Sequence, residues 1–227
     1  MDIYYIILVL PALAFSLYCQ FKVKGTFDKY SSYGNARGFT GADVARRILD
    51  RNGLYDVAVL PTAGSLTDHY DPGKKVVRLS ESVYYSNSVA AIGVAAHEIG
   101  HAIQHKVQYA PLSLRSGLVP IANIGSMAGP YMTIFGLIFQ IPLLAQLGIL
   151  FFTGAVAFYF VTLPVEFNAS KRAISELESQ GILSFNEIAP AKKVLNAAAM
   201  TYVASALTAV ANLLHLVFLF MGSSDRE

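Results

Sequence analysis

The sequence predicts a mainly α-helical membrane protein: four transmembrane helices and a small α+β lobe at the membrane surface, in which a short β-sheet stands beside a helix built on small apolar residues. Three observations carry that prediction. The chain of 227 residues is 54% hydrophobic and only 14% charged, against roughly 25% charged in an ordinary soluble domain. Its apolar residues collect in long runs, and its polar residues in two blocks between them. Inside the first polar block lies His97-Glu98-Ile99-Gly100-His101, preceded by small apolar residues from Val89 to Ala96. The net charge is only +2, which gives no reason to expect a nucleic-acid partner. A single cysteine, Cys19, excludes an intramolecular disulfide and a cysteine-based zinc site.

In chain order, the run Ile3–Cys19 is long enough to span with its flanks. Only Asp2 precedes it, where a cleavable signal peptide carries basic residues. Residues 1–20 therefore read as an uncleaved anchor. Lys22, Lys24 and Lys29 follow closely, which places the N-terminus outside and residue 21 onward in the cytoplasm. Residues 21–117 form the polar lobe. Thr40 reads as the N-cap of a helix whose apolar face is Val44, Ile48 and Leu49, ended by Gly53. Strands are expected at Val57–Leu60, Ser65–Tyr70 and Lys75–Leu79, with Asp71-Pro72-Gly73 as a turn. Residues 118–165 hold two spans separated by the uncharged turn 140–142. The first carries Gly125 and Gly129 at a spacing suited to close helix contact. Residues 166–197 return to the cytoplasm, with a last helix expected to begin near Pro190. Residues 198–221 are the fourth span, and 222–227 a tail. With four spans, both polar blocks fall on one side, and together they hold every Lys and Arg except Arg226.

The chemistry is written in the helical motif. Four-residue spacing sets His97 and His101 one turn apart on one face, about 5–6 Å between Cβ atoms. Both imidazoles can then reach one Zn²⁺, while Glu98 contacts a water rather than the metal. Buried His and Glu without partners would cost several kcal/mol; a metal supplies the partner. His105 lies about 12 Å from His97 along the axis and cannot share that ion. The positions that a three-histidine metzincin would use hold Gln104 and Val107. His105 therefore reads as a surface or packing residue.

A hydrolytic zinc site takes a third protein ligand and leaves one position open. Donors on the correct side are His69, Asp68, Asp71, Glu81, Glu166, Glu176 and Glu178. Glu166 is favoured. It follows the third span closely, and Ala169, Ser170 and Ala173 share its helix face, so a second helix can come close. Oxyanion stabilisation needs a donor, for which Arg172 and His69 are the candidates. Val76, Val77, Arg78 and Leu79 are the expected sheet edge on which an extended peptide could lie.

The order His-Glu-x-x-His followed by a glutamate within Glu-x-x-Ala resembles the gluzincin membrane peptidases, among them HtpX-type proteases and CAAX-prenyl endopeptidases. The chain is most similar to the YugP-like neutral zinc membrane peptidases of bacteria. That similarity lies in residues 67–72, 77–80, 97–104 and 166–169 and covers nearly the whole chain. It implies His97, His101 and Glu166 as ligands of one Zn²⁺ and Glu98 as the catalytic residue. It also implies a peptide or membrane-protein substrate and a role in membrane-protein quality control. Ser170 departs from the wider pattern, where an aspartate follows the ligand by four residues. The expectation is a metalloendopeptidase in the plasma membrane with its site on the cytoplasmic side. The rivals are a zinc-dependent membrane scaffold or chaperone without turnover, and an intramembrane protease with an aspartate ligand. Residues 118–221 contain no aspartate, which argues against the last.

Overall fold

A computed structural model describes residues 2–224; residues 225–227 of the expected tail lie outside that range. Among the described residues, four helices are long and apolar enough to cross a membrane: Tyr5–Ser31, Ala110–Ile138, Pro142–Ser179 and Phe185–Ser223. The helices are α1 (Leu10–Ser31, preceded by a π-helical turn Tyr5–Val9), α2 (Gly41–Arg51), α3 (Glu81–Tyr84), α4 (Val89–Lys106), α5 (Ala110–Ile138), α6 (Pro142–Ser179) and α7 (Phe185–Ser224). Three strands, β1 (Ala58–Thr62), β2 (His69–Asp71) and β3 (Val76–Ser80), complete the elements of the described residues. The residues divide into two compact units. Among the described residues, one contains 2–20, 110–164 and 200–224; the other contains 21–109 and 165–199.

In the first unit, α5 and α6 form a hairpin that works because its contact face is small. A Cβ on Gly125 would strike the carbonyl of Phe151, and one on Gly129 would lie 2.9 Å from the Gly148 oxygen. The glycines let the backbones meet where no hydrophobic force separates helix from lipid. His215 of α7 is hydrogen-bonded to Asp2 at 2.9 Å, so this histidine within an apolar run is partnered.

The second unit holds one continuous core in which α4 is central. Ala91, Ile92, Ala95, Ile99 and Ala102 pack with Val44 and Ile48 of α2, Leu79 of β3, Ala173 and Leu177 of α6, and Ala191 and Leu195 of α7. Each fully buried Ile or Leu contributes about 1.5–3 kcal/mol relative to exposure. Thr40 caps α2 in a reciprocal box with Asp43, and the Ser88 hydroxyl receives the Ala91 amide at the start of α4.

Four expectations are corrected here. The sheet order is β1-β3-β2, so Val76, Val77, Arg78 and Leu79 form the central strand and not an edge. β1 pairs parallel to it on one side and β2 antiparallel on the other, which commits its backbone to both neighbours. Val77 and Leu79 are also fully buried; alternation in the sequence could not tell a doubly flanked strand from a half-covered one. The second strand is only His69–Asp71. Leu66 takes a left-handed φ of 57°, which breaks the extension that Ser65–Tyr70 would need. The first strand begins at Ala58 and reaches Thr62, past Pro61, which an edge strand tolerates. The last helix begins at Phe185 and not near Pro190. Ser184 and Glu187 form its start, with the Ser184 amide donating to the Glu187 carboxylate at 2.6 Å, the Ser-x-x-Glu pattern of a helix N-terminus.

Candidate metal centre

Three side chains of the second unit converge. His97 Nε2 lies 3.2 Å from His101 Nε2 and 3.2 Å from Glu166 Oε2; His101 Nε2 lies 3.5 Å from the same oxygen. Tetrahedral ligands at the usual Zn–N and Zn–O lengths of about 2.0–2.1 Å stand about 3.3–3.4 Å apart. The observed separations bracket that value, so the donor set fits a tetrahedral ion with one vertex left over. Two imidazoles and one carboxylate are also the right chemistry for zinc. Among the described residues this is the group of three or more His, Cys, Asp or Glu close enough to hold a metal.

The close meeting of α4 and α6 makes this possible. Gly100, between the two histidines, has no side chain because a Cβ there would lie 2.5 Å from the Ala169 carbonyl oxygen. Ala169 and Ala173 are themselves buried in the same contact. Glu166, one helical turn before Ser170, is thereby brought to the face of α4 that carries both histidines. Its side chain is 3% exposed.

The electrostatics follow from burial and proximity. Burial alone would raise the Glu166 carboxyl, but hydrogen bonds and charge from His101 and His97 override it and hold the group far below the usual carboxylate range. Burial would lower the His101 imidazole, yet the Glu166 carboxylate and then the charge on Glu98 raise it above its ordinary value. Burial raises Glu98. Glu98 is not one of the three converging donors.

Ser170, the departure noted in the sequence, now has a partner: its hydroxyl meets His97 Nδ1 at 3.0 Å. His101 Nδ1 meets Gln104 Oε1 at 3.0 Å. Sequence reasoning missed Gln104 and Asn168. The available signal was a glutamine three residues after His101, on the motif's own face of the helix. The two oxyanion candidates have other contacts. Arg172 Nε donates to Asn168 Oδ1 at 2.7 Å. His69 is exposed, and its Nδ1 donates to the Thr67 carbonyl at 2.8 Å, which leaves Nε2 an acceptor when the ring is neutral. Val76–Leu79 lie within the sheet as described. His105 is exposed and bonds the Tyr70 hydroxyl at 3.0 Å.

Residues 5–221 match the family described as "Putative neutral zinc metallopeptidase". The chain belongs to that family. Among curated proteins, "Putative membrane protease YugP" of Bacillus subtilis (strain 168) is 50% identical over 223 residues, covering 98% of this chain and 99% of that one. No solved structure matches the chain. Membership in a zinc metallopeptidase family agrees with the donor chemistry of the cluster, and four apolar helices make the chain a membrane protein of that family.

Proposed function

We propose that this chain is an integral-membrane zinc metalloendopeptidase of the gluzincin type, in which His97, His101 and Glu166 hold one Zn²⁺ and Glu98 is the general base. The observation that carries the reading is the convergence of two Nε2 atoms and one carboxylate oxygen at 3.2–3.5 Å, beside a buried glutamate outside the ligand set. When bound, zinc polarises the scissile carbonyl and lowers the pKa of the attacking water. Glu98 accepts the proton from that water and passes it to the leaving amine. With no ion bound, burial raises its carboxyl above the usual range.

The edge of the sheet beside α4 is β2, where Tyr70 reaches His105. An extended peptide would add there through main-chain hydrogen bonds. The bias of Lys and Arg toward residues 21–117 and 166–193 supports a cytoplasmic site in the plasma membrane, with membrane proteins as substrates in quality control.

The test is Glu98→Gln, purified in detergent and mixed with an unfolded membrane protein. The variant should keep its zinc and lose cleavage, and a chelator should abolish cleavage by the wild type. Wild-type turnover by Glu98→Gln would reject the mechanism. A zinc-loaded wild type that binds the unfolded protein but never cuts it would establish the scaffold instead.

A further inference from the structure

A histidine binds metal only through the ring nitrogen that lacks a proton. For His101, the identity of that nitrogen follows from a chain of contacts traced inward from Arg172. A guanidinium has donors only. Arg172 Nε donates to Asn168 Oδ1 at 2.7 Å, so the oxygen of that amide faces the contact. The same Oδ1 accepts Gln104 Nε2 at 3.0 Å. The Val165 carbonyl, which can only accept, takes Gln104 Nε2 as well, at 2.8 Å. The amide nitrogen of Gln104 is thus committed twice, and Oε1 is what remains toward His101 Nδ1, 3.0 Å away. An amide oxygen cannot donate. His101 Nδ1 therefore carries a proton, and in the neutral ring Nε2, the atom 3.2 Å from His97 Nε2 and 3.5 Å from Glu166 Oε2, carries the lone pair. Turning the Gln104 amide over would set its oxygen against two acceptors at a fully buried position, where nothing could replace the lost bonds.

We propose that Gln104, locked by Asn168 and Arg172, is a positioning residue that holds His101 in its Nδ1–H form and so presents Nε2 to the metal. Arg172 is in this account the outer anchor of a donor–acceptor chain of fixed direction, reaching a ligand three links away. The groups doing this are amides and one guanidinium, in the place where metal-binding histidines often meet a carboxylate. The proposal rests on the assignment of His97, His101 and Glu166 as the ligands.

The experiment uses full-length protein in detergent with its histidine rings labelled with ¹⁵N. Spectra of the metal-free protein, taken above the imidazolium titration, distinguish Nδ1–H from Nε2–H at His101. Zinc affinity is measured by competition with a chromogenic chelator. Wild-type His101 should be Nδ1–H. Gln104→Met, similar in volume but with no strong acceptor, should lose the single form and bind zinc about 10–100-fold more weakly. Arg172→Met, at a less buried position, should shift both readouts in the same direction by a smaller factor. Asn168→Asp still offers an acceptor to both neighbours and should keep the Nδ1–H form. Finding His101 as Nε2–H in the wild type would overturn the proposal without any variant. So would a folded Gln104→Met with unchanged spectrum and affinity. If instead Glu166→Ala binds zinc like the wild type, the ligand assignment falls, and the wild-type spectrum still decides the Gln104 contact.

Discussion

Gly100→Ala tests whether the approach of α4 to α6 sets the metal geometry. The added Cβ would stand 2.5 Å from the Ala169 oxygen, 3.0 Å from its carbonyl carbon and 3.1 Å from its Cα. All three are backbone atoms, so no side chain can swing aside. A carbon–oxygen contact becomes tolerable at about 3.3 Å, so the helices must part by about 0.8 Å. Ala169 is three residues from Glu166 on the same helix, and that shift is about four times the ±0.2 Å tolerance of a zinc–ligand bond. Overpacking costs about 1–3 kcal/mol, while replacing a helical glycine by alanine returns about 0.8–1 kcal/mol. The net loss of metal-free stability is therefore about 0–2 kcal/mol, and zinc affinity should fall by more than tenfold, disproportionately to folding. Chelator competition and thermal unfolding of the metal-free protein separate the two quantities. Gly93→Ala is the control, since a Cβ there meets nothing nearer than 3.8 Å; it should leave zinc binding unchanged and match or exceed wild-type stability. If Gly100→Ala binds zinc like Gly93→Ala, the contact does not set the site, and the argument from helix approach is wrong.

Glu166→Ala should remove one of the three proposed ligands and abolish stoichiometric zinc in metal analysis, with both histidines still in place. Zinc affinity should fall with acid. His101 is held above its ordinary pKa in the metal-free site, so zinc must displace its proton below that raised value. Affinity then drops by about tenfold per pH unit on the acid side and levels off on the alkaline side, as titration at several pH values would record. Thr40→Ala should lower stability by about 1 kcal/mol through loss of the α2 capping box, seen in denaturant unfolding, without changing zinc content, since α2 supplies no ligand.

Much of the molecule was legible from local pattern. Apolar runs of membrane length, the one-turn spacing of His97 and His101, the cap at Thr40 and the small faces at Gly125 and Ala169 depend on nearest neighbours along the chain. They survive in any fold the chain adopts. The approach of another helix to the Glu166 face was legible for a related reason: small residues following the carboxylate mark a face that a second backbone can reach. The sheet was less so. Its strand order depends on which backbone edges meet, and β3 has the same alternation whether it is flanked once or twice. Alternation alone therefore reads Val76–Leu79 as an edge. The early start of α7 is written at Ser184 and Glu187; Pro190 lies inside the first turns of the helix, not at its start.

The sequence by itself determined the candidate chemistry: two imidazoles one helical turn apart, a carboxylate between them in the motif, and a second carboxylate on a later helix. Only the tertiary structure decided that these donors stand 3.2–3.5 Å apart, and that neutral Ser170 and Gln104 support the histidines. The physical reason is one of range. Helical periodicity acts over a turn or two, whereas bringing Glu166 to His97 requires two backbones separated by 69 residues to touch at Gly100 and Ala169.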